Sequence, residues 1–370
     1  MAATDPSRTT GTWIDSPDAL RARLQGWAAH RVVGVDTEFV RERTFWPQLA
    51  LVQLSVPGEI LLVDPLADGM APVLASLLQD PGTLKVMHSA GEDLQALAVG
   101  CKALPSPLFD TQVAAALAGL GAGLGYQKLV EQVCGISLPK GETRSDWLRR
   151  PLNPRQLEYA ADDVLHLHRI HAELDDRLRA SGRLAWLEED CARMVAAAAA
   201  DEEDPWPHLA MRSAQTLDAT GQARLCRLLR WRDRQARISD RPRSWIIDNE
   251  LVVALARNPP PDRRGFDRLL DDHRGAPRQL REDLHAVVAA PLTDAEAAVP
   301  LALPQDPEQR ARVKALQSAV AGQAGALGLP EGVLASRRQL ELLLSTGEWP
   351  PALSGWRRTL LEPVLAPELA

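Results

Sequence analysis

The hydrophobic positions in the N-terminal half of the chain follow strand spacing and helix spacing in turn. Apolar, often β-branched residues fill 31–40, 49–56 and 59–64, and a Pro-Gly pair separates the last two runs. This pattern predicts three strands in an antiparallel meander. Short apolar runs at 83–88 and 108–109 each lead into a helical pattern, so the sequence predicts a mixed α/β sheet flanked by helices.

Helical spacing of apolar residues accounts for most of the remaining N-terminal half. The predicted helices are 16–28, 71–78, 92–99, 111–117, 126–134, 154–179 and 184–200. The segment 154–179 is predicted as one continuous helix.

The chain changes character after an acidic segment that ends in proline, 201–205. From 205 to 290 there are 16 Arg against 11 Asp plus Glu, a net charge of about +5 in a chain whose total is −7. Apolar spacing across 222–237 predicts a helix with a basic face. A Pro-rich stretch, 290–307, then precedes a third block.

Apolar residues of the third block repeat those of the second at a constant spacing. Trp245, Ile246, Val252 and Leu255 correspond in this way to Val333, Leu334, Leu340 and Leu343. We therefore predict two related small helical domains, the second degenerate, with Trp231 and Trp245 in the core of the first. The predicted domains are 1–203, 205–290 and 305–370.

The composition excludes several classes of protein. A net charge of −7 argues against a uniformly basic nucleic-acid-binding surface. Widely spaced cysteines without a Cys-x-x-Cys pair fit reduced thiols in a cytoplasmic protein. No apolar segment is long enough to span a bilayer and no Gly-x-x-x-x-Gly-Lys-Ser/Thr loop is present, so we expect neither a membrane protein nor an ATP-driven helicase. We also expect a monomer.

The strand predicted at 31–40 carries two acids on one face. Asp36 and Glu38 are two residues apart, so the alternation of a strand points both side chains the same way. At about 4 Å, with an effective dielectric near 20, the two charges would repel by roughly 4 kcal/mol. A divalent metal ion between them would remove this repulsion, although acids at a strand end can also face solvent.

Three residues later in the chain are candidates to join this pair. Asp93 lies at the start of a predicted helix, and Tyr159 and Asp163 are four residues apart on one helical face. Each has a plain structural interpretation, as a helix-start acid in the first case and a hydrogen-bonded surface pair in the second. Asp110 is predicted to cap the helix that follows it or to support the site.

In chain order, Asp36, Glu38, Asp93, Tyr159 and Asp163 match the pattern of the DEDD exonucleases that have tyrosine in their third motif. Further segments resemble the bacterial ribonuclease D family and its helicase-and-RNase-D C-terminal (HRDC) domain. Those similar to ribonuclease D are Phe45–Leu54, Phe109–Gln112 and Arg144–Trp147, and those similar to HRDC are Leu228–Asp233 and Pro242–Trp245. The resemblance covers nearly the whole chain.

This resemblance implies an α/β ribonuclease-H-like exonuclease core followed by two small all-α HRDC-like domains. It implies a 3′→5′ exoribonuclease that releases 5′-nucleoside monophosphates from RNA 3′ ends, with transfer-RNA precursors and other structured RNA as substrates. Four carboxylates would then hold two Mg²⁺ or Mn²⁺ ions, namely Asp36, Glu38, Asp93 and Asp163. Asp36 is expected to bridge the ions, and Tyr159 to orient the attacking water.

Substrate contacts are predicted at an aromatic pair, a loop pair and a pair in the first HRDC-like block. These residues are Phe39 and Trp46, Lys140 and Arg144, and Arg227 and Arg230. The aromatic rings could stack on terminal bases, with core packing as an equal alternative. These four cations, and with them Arg149, Arg150, Arg234 and Arg237, could contact phosphates, although a basic loop can be merely solvated and HRDC domains also bind proteins.

Two other functions fit the same residues. A DNA 3′ exonuclease would use the same core, because the 2′-hydroxyl contacts that distinguish RNA from DNA have no short sequence signature. A noncatalytic RNA-binding scaffold is the other alternative, and the intact set of four acids and one tyrosine argues against it.

Overall fold

The computed structural model of the 370-residue chain describes residues 11–138, 145–273, 278–302 and 307–369. The strands in this part of the chain are β1 Thr12–Ile14, β2 Val32–Val40, β3 Gln48–Val56, β4 Glu59–Val63, β5 Leu84–Met87 and β6 Leu108–Asp110. They form a sheet in the order β1-β4-β3-β2-β5-β6. The β2–β3 and β3–β4 pairs are antiparallel, which confirms the predicted meander, and the other pairs are parallel. The short strand β1 was not predicted.

The helices fall into three groups along the chain. Those of the N-terminal half are α1 Pro17–Gly26, α2 Met70–Gln79, α3 Gly91–Gly100, α4 Thr111–Leu117, α5 Tyr126–Cys134, α6 Pro154–Leu165, α7 Leu167–Ala180 and α8 Leu184–Ala200. The second block of the sequence, which is rich in Arg and is called the basic block below, contains α9 Ala219–Ser239, α10 Arg243–Ile246, α11 Asn249–Arg257, α12 Arg263–Asp272, α13 Arg281–Ala289 and α14 Asp294–Ala297. The last block contains α15 Pro307–Leu327, α16 Glu331–Leu334, α17 Arg337–Thr346 and α18 Trp356–Leu369. Among the residues described, no helix combines the length and the apolar character needed to cross a membrane.

Strand β3 lies in the middle of the sheet and is buried along nearly its whole length. A strand without an exposed face needs helices on both sides of the sheet. Helices α3 and α6 both pack against β3, and they also contact its neighbour β2. The elements that carry the predicted site residues are therefore packed together around the centre of the sheet.

The helix predicted across 154–179 is interrupted at His166, which separates α6 from α7. The Tyr126 hydroxyl donates a hydrogen bond to the Asp162 carbonyl at 3.3 Å and accepts one from the His166 N–H at 3.2 Å. In an uninterrupted helix, that carbonyl and that N–H would bond to each other. The prediction of one continuous helix is wrong because a hydroxyl from another segment of the chain replaces a helical hydrogen bond.

Contacts between Cα atoms divide the chain into two compact units. The first comprises Met1–Val40, Pro47–Ala200 and Ala311–Ala370, and the second comprises Arg41–Trp46 and Asp201–Arg310. The acidic segment at the end of the N-terminal half thus begins the main part of the second unit. The domain boundaries drawn from the sequence stay a prediction.

The last helical block shares the core of the first unit. The Trp356 ring of α18 stacks on Trp186 of α8, with 4.5 Å between the centroids and an interplanar angle of 2°. The Trp356 indole N–H donates to the buried Asp190 carboxylate at 3.0 Å, and the Arg357 guanidinium donates to both oxygens of the same carboxylate. Aromatic stacking and a buried ion pair therefore join α18 to α8.

The basic block and the last block repeat one another in their helices. Helices α10 and α11 begin at 243 and 249, and helices α16 and α17 begin at 331 and 337. The separation between corresponding starts is 88 residues in each case. These helix starts repeat at the spacing of the apolar residues, and the assignment of two related domains stays a prediction.

The second unit has a core of its own, centred on α9 and α11. Trp231 is buried in it, as predicted, and its indole N–H donates to Asp283 at 2.8 Å. Trp245 is 52% exposed, so its predicted place in the core is wrong. Helix α10 has only four residues and buries Ile246 instead.

Candidate active site

The five residues predicted to carry the chemistry all belong to the first unit. Strand β2 carries Asp36 and Glu38, the first turn of α3 carries Asp93, and α6 carries Tyr159 and Asp163. Asp93 is buried and the other four are partly buried, so the cluster is accessible from solvent. Asp36 lies close enough to the other three acids for each of them to repel its charge. The structure therefore brings the predicted set together.

Local sequence signals place the helical members of this cluster. Helix α6 begins with a capping box, in which the Asn153 side chain accepts the Gln156 N–H and the Gln156 side chain accepts the Asn153 N–H. Pro154 occupies the first helical position, where its missing N–H is harmless. Because the helix starts there, Tyr159 and Asp163 lie one turn apart on a helix that packs against β2.

Burial is the main cause of a raised pKa at all four carboxyl groups. The pKa of Asp36 lies well above its ordinary value, and repulsion by Asp93, Asp163 and Glu38 adds to the effect of burial. Burial and then repulsion by Asp163 and Asp93 raise the pKa of Glu38 to about 8. Burial likewise raises the pKa values of Asp93 and Asp163 to about 7. Full ionisation of the cluster is therefore unfavourable unless a positive charge lies among the carboxylates.

Two hydroxyl groups donate hydrogen bonds into the cluster. The Thr37 hydroxyl donates to Asp93, and the Tyr159 hydroxyl donates to Asp163. Burial, followed by repulsion from the neighbouring carboxylates, raises the pKa of Tyr159 far above its ordinary value. The phenol therefore stays protonated near neutral pH, where it can donate a hydrogen bond but cannot serve as a base.

The chemistry of this donor set fits a divalent cation. Carboxylate oxygens are the ligands that Mg²⁺ and Mn²⁺ prefer, and the acids are destabilised by one another's charge. Among the described residues, no three His, Cys, Asp or Glu side chains already form a metal-binding group. The carboxylates therefore suit a divalent cation by the type and charge of their donor atoms. Their side chains would have to reorient for several of them to bind one ion.

The two aromatic candidates for base stacking lie in different units. Phe39 follows the acidic pair on β2 and packs against the core of the first unit. Trp46 belongs to the second unit, where its indole N–H donates to the Arg237 carbonyl at 3.3 Å and the Arg237 guanidinium lies 5.4 Å from its ring. The backbone N–H groups of Trp46 and of the residue before it both donate to Asp240 at 3.0 Å. These contacts support the packing alternative for Trp46.

The structure corrects the phosphate contact predicted for Arg227. Its Nε and Nη2 donate to both oxygens of Glu296, and its other donors bond to three backbone carbonyls between 287 and 291. A guanidinium has five N–H donors, and all five are used within the second unit. Arg227 therefore fixes the chain after α13 rather than contacting phosphate.

The remaining cationic candidates differ from Arg227. Lys140 and Arg144 lie outside the described residues. Arg230 is partly buried, and its Nε has no hydrogen-bond partner among the described residues. Its phosphate contact stays a prediction.

Several residues around the cluster were not predicted to support it. They are Thr37, Gln53, Tyr126 and Arg150. Gln53 pairs with Asp36 across the β2–β3 ladder and is fully buried, and neither polar atom of its amide has a partner in the described part of the chain. The sequence did contain a signal for Gln53, because its polar amide interrupts an otherwise apolar strand. The other three act through contacts that no local pattern indicates.

Comparison with known proteins gives consistent matches. A family model described as a 3′-5′ exonuclease matches residues 12–179. Ribonuclease D of Xanthomonas oryzae pv. oryzae is 53% identical, over 96% of this chain and 98% of that protein. The crystal structure of Escherichia coli RNase D, described as an exoribonuclease involved in structured RNA processing, has a TM-score of 0.81 and 33% identity, over 97% of this chain and 98% of that one. The catalytic core of RRP6 from Trypanosoma brucei, 21% identical over 77% of this chain and 80% of that one, has a TM-score of 0.60 and shares the fold.

Proposed function

The chain belongs to the ribonuclease D family, and from this premise we propose that the carboxylate cluster on β2, α3 and α6 is where it shortens RNA. Its activity is that of a 3′→5′ exoribonuclease, and exonucleases of this family use divalent metal ions. The mixed sheet flanked by helices, followed by a helical C-terminal region, is the fold class predicted from the sequence.

We propose that Asp36, Glu38, Asp93 and Asp163 would hold two Mg²⁺ or Mn²⁺ ions. The raised pKa values of all four carboxyl groups carry this proposal, because burying acids that repel one another is unfavourable unless a cation binds. When bound, such ions lower the pKa of a water and neutralise the charge that develops on the departing 3′ oxygen.

The side chains of the cluster would position the reactants. Attack of water on the last phosphodiester forms a bond from the water oxygen to phosphorus and breaks the bond to the 3′ oxygen, which leaves with the electron pair and takes a proton. The product is a 5′-nucleoside monophosphate. The Tyr159 hydroxyl donates a hydrogen bond to Asp163, so we assign it the orientation of the attacking water by hydrogen bonding rather than the removal of its proton.

We propose that the substrates are transfer-RNA precursors and other structured RNA, and that the protein acts as a monomer in the cytoplasm. The description of the E. coli enzyme as involved in structured RNA processing supports the substrate class. All four cysteines are buried and free, which supports a reducing compartment: Cys101, Cys134, Cys191 and Cys226.

RNA contacts in the second unit would come from few groups, because many of its arginines are paired with acids of the same unit. The pairs are Arg227–Glu296, Arg234–Glu203, Arg237–Asp201, Arg237–Asp233, Arg243–Asp233, Arg263–Glu282 and Arg281–Asp271. We propose that Arg230 contacts phosphate and that the exposed indole of Trp245 stacks on a base of single-stranded RNA. A protein-binding role for this HRDC-like block is the alternative.

The proposal is tested by digestion of matched 5′-labelled RNA and DNA strands with Mg²⁺ or Mn²⁺. The wild-type protein should shorten the RNA stepwise from the 3′ end and release nucleoside 5′-monophosphates, and Asp36→Asn should be inactive with an unchanged circular dichroism spectrum. Glu158→Gln, which neutralises an exposed acid on the same helix as Tyr159, is the matched control and should be active.

Each alternative gives a different result in this digestion. Degradation of the DNA strand alone would indicate a DNA exonuclease. Absence of any metal-dependent hydrolysis, together with tight RNA binding, would indicate the noncatalytic scaffold. A parallel digestion of a transfer-RNA precursor with a 3′ extension tests the substrate class, because the extension should be removed and the folded body left intact.

A further inference from the structure

Arg150 lies in the loop before α6 and uses all its hydrogen-bond donors inside the first unit. Its Nε and Nη2 donate to the two oxygens of Asp64 at 2.8 and 2.7 Å, and Nη2 also donates to the Ala50 carbonyl at 2.6 Å. Its Nη1 donates to the carbonyls of Trp147 and Arg149 at 2.8 and 3.1 Å. Five donors are the full capacity of a guanidinium, so Arg150 has none left for a phosphate.

The Ala50 carbonyl belongs to an irregularity next to the acidic pair. Glu38 pairs with Leu51 across the β2–β3 ladder, whereas Phe39 pairs with Leu49, so Ala50 is the extra residue of a β-bulge. A bulge bends its strand, increases the local twist and leaves the extra residue out of the ladder. Arg150 supplies a hydrogen bond to the carbonyl of this extra residue and thereby stabilises the bulge beside Glu38.

The same guanidinium joins two other parts of the unit to this bulge. Asp64 directly follows β4, and its side chain is only 11% exposed, so its bidentate pair with Arg150 is well shielded. Asn153, three residues after Arg150, caps α6. Arg150 is therefore bonded both to the strand that pairs with β2 and to the loop that leads into the helix of Tyr159 and Asp163.

We propose that Arg150 is a positioning residue, which sets the separation between the acids on β2 and the Tyr159–Asp163 pair on α6. The inference rests on the proposed function of the cluster. Its physical basis is the rigid, planar guanidinium, which can bond to a carboxylate and a carbonyl at once, whereas an ammonium group has a different geometry. Residues that hydrogen-bond directly to metal ligands commonly change metal affinity or activity by about 10- to 100-fold when they are replaced, and we take this range for Arg150, which acts on the ligands through the bulge and the loop.

The test compares Arg150→Lys with a matched control, Arg227→Lys, which alters a guanidinium with five bonds in the second unit. For Arg150→Lys we expect kcat on a short unstructured RNA to fall about 10- to 100-fold with KM nearly unchanged. Calorimetric titration without RNA should show Mn²⁺ binding weakened by a similar factor. Arg227→Lys should leave kcat and the Mn²⁺ titration as in the wild type.

A second variant tests the same role independently, in case Arg150→Lys does not fold. Asp64→Asn keeps the shape of the carboxylate but loses half of the bidentate pair, so it should weaken Mn²⁺ binding and lower kcat in the same direction as Arg150→Lys. Loss of thermal stability in both variants, with wild-type kcat and wild-type Mn²⁺ affinity per folded molecule, would overturn the positioning role. A raised KM with unchanged kcat would overturn it too and would make Arg150 an RNA contact.

Failure of the proposed function gives a different result. If the wild type binds Mn²⁺ but hydrolyses no RNA, the exonuclease assignment of the cluster fails, while weaker Mn²⁺ binding by Arg150→Lys would still support the positioning role. If the wild type hydrolyses RNA and Arg150→Lys matches it in both measurements, only the positioning role fails.

Discussion

Replacing Glu38 by glutamine should make the metal-free protein more stable at alkaline pH while abolishing turnover. Burial and repulsion by Asp163 and Asp93 raise the folded-state pKa of Glu38 from 4.5 to about 8. A group with a raised folded-state pKa contributes stability that is present below its unfolded pKa and is lost as the pH rises through the folded value. Glu38 should therefore lower the free energy of unfolding progressively between about pH 4.5 and 8.

The size of this effect follows from the pKa. Each unit of difference between the folded-state and unfolded-state pKa corresponds to about 1.4 kcal/mol of stability. A rise from 4.5 to about 8 therefore limits the destabilisation by Glu38 to about 5 kcal/mol. Glu38 is only partly buried, and water entering the cluster screens its charge. We therefore expect Glu38 to lower the free energy of unfolding by roughly 1–3 kcal/mol between pH 5 and 8.5. That loss corresponds to a decrease of about 3–10 °C in the unfolding midpoint.

The assay is thermal unfolding after EDTA treatment, across a pH series from 5 to 8.5, with Glu158→Gln as the exposed control on α6. The wild type and the control should lose stability with rising pH, and Glu38→Gln should lose clearly less. Added Mn²⁺ should raise the midpoint of the wild type at pH 8 more than that of Glu38→Gln, because ligand binding to the folded state stabilises it. Parallel pH profiles for the wild type and Glu38→Gln would refute the electrostatic reasoning.

Three further predictions concern single side chains. Tyr159→Phe should lower the single-turnover rate about 10²- to 10⁴-fold while leaving the Mn²⁺ titration unchanged, and an unchanged rate would make the tyrosine merely structural. Asp190→Ala should lower the free energy of unfolding by roughly 3–5 kcal/mol in a denaturant titration, because the Arg357 guanidinium loses its buried partner; a loss under about 1 kcal/mol would contradict the buried ion pair. Trp231→Ala should cost about 3–5 kcal/mol and Trp245→Ala at most about 0.5 kcal/mol by the same measurement, so equal losses would contradict their burial.

Much of the fold could be predicted because its signals are local. The meander follows from three apolar runs, the last two separated by a Pro-Gly turn. Helix α4 begins where Asp110 caps it, and the Asp110 carboxylate accepts hydrogen bonds from the N–H groups of Gln112 and Val113. Spacing alone also placed both pairs of the candidate site, since residues two apart on a strand, or four apart on a helix, share a face. The 88-residue repeat of helices was visible in the apolar residues for the same reason.

Two of the predictions that the structure overturned failed because of a distant group. The break between α6 and α7 depends on the Tyr126 hydroxyl, some 40 residues before His166. Arg227 was predicted to contact phosphate because a basic helical face looks exposed, yet it bonds to Glu296, 69 residues later. Spacing along the chain carries no information about such partners, because they meet only once the helices have packed.

By itself, the sequence determined which residues of this protein could form strands and helices and which acids could share a face, since both depend on backbone geometry repeated every few residues. Only the tertiary structure decided that the block from 311 to 370 shares the core of the first unit, and that Arg150 reaches the carbonyl of Ala50, 100 residues away. The carboxyl groups of the candidate site have raised pKa values for the same reason, because burial and the proximity of charges arise when separate elements pack together.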